Sequence, residues 1–155
     1  MTTTVVPPTI DSFRGRWAFL SNFHPAPMMW SGILYPTSEH AFNAGKTLDD
    51  EQRYWIADAP TPREAKRRGR TVELRQGWDE RVRFEVMASV LEAKFGCHPG
   101  RVAALLSTGG AVLVEGNTWH DQVWGDCRCG RAACLPAGAN HLGRLLMELR
   151  ARLAS

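Results

Sequence analysis

The stretch "YPTSEHAFNAGK", Tyr35 to Lys46, decides how this chain is read. Thr37 or Ser38 can cap a helix here, with Glu39 in its first turn, where a carboxylate complements the helix dipole. Glu39, Phe42, Asn43 and Lys46 then fall at i, i+3, i+4 and i+7, on one helical face. Glu39 and Lys46 stand two turns apart, about 10.5 Å along the axis, a span that admits a ribose-sized group with Phe42 as an apolar floor. His40 lies off that stripe. Taken alone, both charged residues are better explained as helix-end charges.

Outward from this helix, the preceding segment "FRGRWAFLSNFHPAPMMWSGILYP" is aromatic and punctuated by Gly and Pro, and reads as short strands and loops. "TPRE", Thr61 to Glu64, is a capping box with Pro62 at the first helical position, and predicts a second helix ending at Gly69. Val82, Val86 and Val90, flanked by Met87 and Leu91, predict a long core helix over Asp79 to Phe95. A short helix from Pro99 to Ser107 and a buried strand at "AVLVE" follow. Leu142, Leu145, Leu146, Leu149 and Leu153 form the apolar stripe of a C-terminal amphipathic helix, whose arginines read as a solvated face. The expected fold is α+β, predominantly α-helical, with a few short strands: a loose tail over residues 1–10 and one compact domain over 11–155.

Composition sets the outer limits. A chain of 155 residues with 44% hydrophobic content supports one domain with a true core. The first ten residues lack the basic and apolar regions of a secretory signal, and no apolar run is long enough to span a membrane, so a cytoplasmic protein is expected. Nineteen basic against 16 acidic residues leave a formal charge of +3, too small to announce nucleic-acid binding.

Cys127, Cys129 and Cys134 form a C-x-C-x4-C cluster, while Cys97 reads as a small apolar core residue. A zinc reading recruits His120 or His141 as fourth ligand, but the usual C-x2-C pair is missing. The cluster is therefore read as free thiols on a flexible loop, with no metal assigned. "EGNTWHDQVWGD", Glu115 to Asp126, places Trp119, Trp124, Asp121 and Asp126 on an irregular segment after a strand. Such a segment suits either a platform for a flat ring with acid/base groups at its edge or a roof over the core closed by turn aspartates.

The blocks "FLSNFHPAP", "YPTSEHAFNAGK", "LVE", "HDQVWGD" and "NHLGRLLMELR" resemble, in order and spacing, the NADAR family, the NAD- and ADP-ribose-associated domain. The resemblance runs from about Phe13 to Leu153. It implies cleavage of an N-glycosidic bond, as in the riboflavin-intermediate N-glycosidase and in members that remove ADP-ribose from guanine. Two mechanisms fit the residues: a pair of carboxylates acting on an oxocarbenium-like sugar, or a lysine amine forming a Schiff base with the opened sugar. The resemblance favours Lys46 as nucleophile and Glu39 as its acid/base partner. Asp121 and Asp126 then orient ribose hydroxyls or shuttle protons, and Trp119 or Trp124 stacks on a ring beside Gly125. Arg70 matches a Gly-Arg pair suited to a diphosphate. Ser21, Asn22 and Phe23 of the "SNF" block, together with Asn140, are further binding candidates. The loop "CRCGRAACLPAG" after Asp126 departs from the riboflavin-type pattern, which favours ADP-ribosylated guanine as the substrate, in a nucleoside or in nucleic acid. No cofactor and no obligatory protein partner are implied. A non-catalytic ADP-ribose-binding module is the alternative of another class.

Overall fold

In chain order the elements of the computed structural model, which describes residues 3–155, are β1 (Thr9–Ile10), a 3-10 helix (Gly15–Leu20), β2 (Met28–Trp30), β3 (Ile33–Tyr35), α1 (Ser38–Ala44), α2 (Asp50–Ala57), α3 (Pro62–Gly69), a π-helical turn (Trp78–Val82), α4 (Arg83–Phe95), α5 (Pro99–Leu106), β4 (Val112–Leu113), β5 (Gly116–Asn117), β6 (Asp126–Cys127), a 3-10 turn (Ala132–Cys134) and α6 (His141–Ala154). The predominantly helical α+β expectation is met. Among the described residues no helix is long and apolar enough to cross a membrane. The chain packs as two compact units, Asn22–Val102 and the residues up to Ser21 together with Ala103–Ser155.

In the Asn22–Val102 unit, β2 and β3 form an antiparallel hairpin with Met28 opposite Tyr35 and Trp30 opposite Ile33. Its turn residues Ser31 and Gly32 both have positive φ, 51° and 82°, the type I′ geometry whose twist matches the strands. Helix α1 is capped by Thr37, whose hydroxyl accepts the His40 amide, and all seven of its residues are buried. Helix α4 continues the π-helical turn and buries Val82, Val86, Met87, Val90 and Leu91 along the expected face. Thr61 caps α3 as its sequence predicts, but the Glu64 carboxylate pairs with Arg67 and Arg68 instead of returning to the cap.

Helix α2 has no counterpart in the sequence expectations. Its local signal is the Asp49 side chain, which accepts the Glu51 and Gln52 amides. It carries Arg53, buried with 6% exposure, whose guanidinium donates to the Thr47 carbonyl at 2.9 Å and to Ser31 Oγ at 3.2 Å, and lies 5.1 Å from the Trp30 ring centroid. One buried cation thus ties the hairpin turn to the loop that follows Lys46, and satisfies the rule that a buried charge must be hydrogen-bonded.

In the other unit, β1 pairs in parallel with β4, Ile10 opposite Leu113. Thr9 and Ile10 therefore belong to the folded core and not to a loose tail, because Ile10 is buried at 9% exposure and β4 supplies its backbone partners. Met1 and Thr2, the start of that expected tail, lie outside the described residues. Leu142, Leu146 and Leu149 of α6 are buried as the stripe predicts. The face expected to be solvated contributes to packing through Arg150, which donates to Thr108 Oγ1 and the Ala111 carbonyl, each at 2.8 Å.

His40 shows why its imidazole is no part of a working face. It is 1% exposed, with Nδ1 2.7 Å from Thr37 Oγ1 and Nε2 2.9 Å from the Ala59 carbonyl. Nε2–H donating to the carbonyl and the threonine hydroxyl donating to Nδ1 satisfy a neutral ring. Burial holds its pKa below the usual 6.5, with the Arg68 charge adding to the effect and the bond to Ala59 opposing it. A depressed histidine pKa means the unfolded chain binds more protons than the native one below about pH 6.5. Its stabilising effect is complete above that pH and is lost on acidification through the folded pKa. We expect the melting temperature of the wild type to fall between about pH 6.5 and 5, and the slope to flatten in His40→Gln; an equal slope in the variant would assign the effect to other groups, such as His24.

Candidate active site

The expected catalytic residues Glu39 and Lys46 both lie in the Asn22–Val102 unit, with Asn22, Phe23, Phe42, Asn43 and Arg70. Glu39 is held from several sides. Its amide donates to the Asn22 carbonyl at 3.0 Å, while Asn43 Nδ2 donates to its Oε1 at 3.0 Å and to its backbone carbonyl at 2.8 Å. Asn22 is in turn fixed through Oδ1, which accepts Ser38 Oγ at 2.9 Å. The "SNF" asparagine therefore positions the start of α1. Phe23 stands exposed, and Ser21 closes the preceding 3-10 helix.

Asn43 is fixed by its packing. It is 1% exposed, and Oδ1, which has no hydrogen-bond partner among the described residues, lies against Gly69. A Cβ on Gly69 would overlap that oxygen and stand 2.8 Å from the Asn43 Cβ. The last residue of α3 must therefore be glycine for α1 to approach this closely.

Lys46 does not sit on α1. The helix ends at Ala44, and the next two residues continue as a tighter turn in which the Lys46 amide donates to the Asn43 carbonyl at 3.2 Å. The i+7 extrapolation therefore placed Lys46 on the wrong element, since the residue lies in the turn beyond α1. Arg75, which sequence reasoning missed, clamps this turn: its amide donates to the Lys46 carbonyl at 2.8 Å and Nη1 to the Gly45 carbonyl at 3.4 Å. Phe42 packs on a second missed residue, Trp78, with ring centroids 5.3 Å apart, so the expected apolar floor is an aromatic pair.

Electrostatics bring the charged groups into one neighbourhood. Burial pushes the Lys46 pKa below its ordinary 10.5; the charges of Arg70 and Lys66 push the same way, while Glu39 and Asp79 oppose them. Both cations come from the C-terminal turn of α3. Arg70, exposed at the helix end, acts on the amine through its charge; its expected part in holding a diphosphate belongs to the proposed function. The cause is physical: a partly buried ammonium near two cations gives up its proton more readily.

The remaining candidates belong to the unit containing Ala103–Ser155. Asp121 Oδ1 accepts the amides of Val123 and Trp124 at 3.1 and 2.8 Å, the turn role considered for it. Asp126 Oδ1 accepts the Gly138 amide at 2.9 Å, and Oδ2 is 3.6 Å from Arg128 Nε. Asn140 spends both ends of its amide on the backbone, donating to the Leu113 carbonyl and accepting the Glu115 amide. It stands at the N-cap of α6 with a left-handed φ of 53° and no side-chain cap bond, so its side chain joins β4 to the start of that helix. Gly125 is buried against the Glu115 carbonyl. Trp119 is exposed, and Trp124 is half-buried edge-on to His141, 6.2 Å between ring centroids. Asn117 was missed by sequence reasoning: 4% exposed, it exchanges hydrogen bonds with both backbone groups of Asp121. The thiols of Cys127, Cys129 and Cys134 do not hang on a loose loop, because all three converge on His120.

The sequence profile of the NADAR domain matches residues 12–154. The chain belongs to the NADAR domain family. Among NADAR relatives, N-glycosidase YbiA of Escherichia coli is 44% identical over 136 residues, covering 86% of this chain and 80% of that protein. The chloroplastic riboflavin biosynthesis protein PYRR of Zea mays is 35% identical over 164 residues, covering 93% of this chain and 25% of that longer protein. The NMR structure of YbiA superposes with a TM-score of 0.79 at 40% identity, covering 97% of this chain and 88% of the other. The fold is thus the NADAR fold.

The contact between Gly69 and Asn43 gives a direct test of how firmly this NADAR site is held. Alanine is favoured over glycine in a helix by about 0.8–1 kcal/mol, whereas forcing a methyl group into packed atoms costs about 1–3 kcal/mol. We expect Gly69→Ala to lower the urea unfolding midpoint; an unchanged or higher midpoint would show that α1 yields to the added carbon.

Proposed function

We propose that this NADAR domain is an N-glycosidase that cleaves the bond between a ribose anomeric carbon and a nitrogenous base, with Lys46 as nucleophile and Glu39 as acid/base partner. The observation that carries the reading is the lowered pKa of Lys46, caused first by burial, beside the buried carboxylate of Glu39. The names of the N-glycosidase relatives support the same reaction class. The family profile draws on both compact units, which supports reading residues 11–155 as one N-glycosidase domain.

In the proposed reaction the neutral Lys46 amine adds to the anomeric carbon while the bond to the base breaks and the base takes a proton from the acid/base partner. The carboxylate left on the acid/base partner takes one of the two protons of the substituted amine, which restores the acid; opening of the sugar ring, with the amine's remaining proton passing to the ring oxygen, leaves an imine. Water hydrolyses that imine, which frees the sugar and restores the lysine. A merely binding site has no use for an amine whose proton affinity is lowered. Within the other unit, Asp126, the Oδ2 oxygen of Asp121 and Trp119 are proposed as groups suited to ribose hydroxyls, proton transfer and ring stacking.

The preferred substrate is ADP-ribosylated guanine. Arg70 and Lys66 beside the amine supply two cations for a diphosphate, and the cysteine-bearing loop after Asp126 departs from the riboflavin-type pattern. A riboflavin-biosynthesis intermediate is the second reading, favoured by the names of the maize and Vibrio vulnificus relatives.

The two substrates are separated by incubating the protein with ADP-ribosylated guanosine and, in parallel, with the phosphoribosylated pyrimidine intermediates of riboflavin synthesis, and measuring released sugar phosphate. Release of ADP-ribose is expected, falling by more than about a hundredfold in Lys46→Ala and Glu39→Ala. Release only in the second arm would transfer the function to riboflavin intermediates; none in either would leave a binding module. Borohydride added during turnover should leave a covalent sugar adduct on Lys46, and active turnover without one would sink the imine. Because the step needs a neutral amine together with a protonated acid/base partner, the rate should follow a bell-shaped pH profile with one limb set by Lys46 at a midpoint below 10.5.

A further inference from the structure

Outside the proposed catalytic pair, the densest cluster of reactive side chains is formed by His120, Cys127, Cys129 and Cys134. Their ligand atoms all lie within 4.8 Å of one another. Three thiols face one atom: His120 Nδ1 is 3.8 Å from Cys127 Sγ, 3.6 Å from Cys129 Sγ and 3.5 Å from Cys134 Sγ. Hydrogen bonding does not account for this, because an imidazole nitrogen carries either one proton or one lone pair and satisfies one thiol. A tetrahedral ion does account for it. With metal–sulfur bonds of about 2.3 Å and a metal–nitrogen bond of about 2.05 Å, tetrahedral angles put sulfur and nitrogen about 3.6 Å apart and two sulfurs about 3.8 Å apart.

We propose that His120, Cys127, Cys129 and Cys134 form a structural zinc site of the Cys3His type. Three soft thiolates and one imidazole in tetrahedral array select zinc over the oxygen-seeking divalent cations. Four protein ligands leave no position for water or substrate, which makes the site structural. Cys127 and Cys134 are buried, Cys129 is half-buried and His120 stands at the surface. Two local features match a metal-bound loop. The Arg131 amide points at Cys129 Sγ at 3.5 Å, the N–H···S contact that supports a bound thiolate. His120 adopts a left-handed φ of 68°, a conformation unfavourable for a non-glycine residue and one that a metal bond would hold in place. The ligands adjoin the candidate aspartates in sequence, His120 before Asp121 and Cys127 after Asp126, so the ion would clasp the segment that presents both.

The spacing C-x-C-x4-C with a histidine seven residues upstream explains why a search for paired C-x2-C motifs passes over the site. Folding, through the pairing of β5 with β6, brings His120 to the cysteines.

The experiment is elemental analysis of the full-length protein purified from zinc-supplemented medium. About one zinc per chain is expected, lost in Cys129→Ala and Cys134→Ala and retained in Cys97→Ala, whose thiol lies in the other compact unit. Should the loop variants fail to fold, cobalt exchanged into the wild-type chain reports independently, through intense tetrahedral ligand-field bands and thiolate-to-cobalt charge transfer. Chelation of zinc should lower the melting temperature of the wild type without affecting activity-independent controls such as Cys129→Ala. A protein with less than about a tenth of an equivalent of zinc, one holding iron instead, one with a disulfide among the three thiols, or one whose cobalt form lacks the tetrahedral spectrum would overturn the assignment.

Discussion

Helix α1 has no solvent-facing side, yet it carries a carboxylate, an asparagine, a histidine and a serine, all buried. Burying polar groups without partners costs several kcal/mol each, so the partners of these four side chains organise the unit around them. Asn43 and Asn22 hold Glu39 and Ser38, and Thr37 and the Ala59 carbonyl hold His40. Gly69 exists as glycine because Asn43 needs the room. The hairpin entry, α1 and the end of α3 are therefore fixed by one requirement, which is to satisfy a polar helix inside an apolar core.

Lys46 inherits its setting from that arrangement. The turn beyond α1 is held by Asn43 on one side and Arg75 on the other, so the amine reaches a place that is partly dry and faces Glu39, Arg70 and Lys66. The opposing charges do separate work. Desolvation and the cations lower the proton affinity of the amine, while the Glu39 carboxylate opposes them. In the proposed reaction the cations that lower the amine's pKa would also meet an anionic substrate, so one cluster would serve both nucleophile activation and phosphate recognition.

In the unit containing Ala103–Ser155 order comes from side chains more than from sheets. Strands β4, β5 and β6 span two residues each, too short to hold a segment by ladder bonds alone. Asn117, Asp121, Gln122 and Asn140 supply the missing bonds by pairing with backbone amides and carbonyls. Such pairing lets an irregular loop be rigid, and it gives Asp121 and Asn140 structural roles that coexist with any contact to substrate.

What the sequence by itself determined is the local and periodic part. The Thr37 cap, the Thr61 and Pro62 start of α3, the valine face of α4 and the leucine stripe of α6 follow from caps and 3.6-residue spacing, which are set by neighbours along the chain. The ordered blocks also carried the family, and the spacing of Glu39, Asn43 and Lys46 named the residues on which the proposed reaction rests. Only the tertiary structure decided the rest. Helix α2 has weak periodicity and depends on Arg53 finding Thr47 and Ser31; Ile10 becomes a strand because Leu113 lies beside it; Arg75 and Trp78 join the site from segments distant in sequence. The lowered pKa of Lys46 and the meeting of three thiols with His120 belong to the same class. Both arise from burial and proximity between residues separated along the chain, quantities that a one-dimensional pattern does not contain.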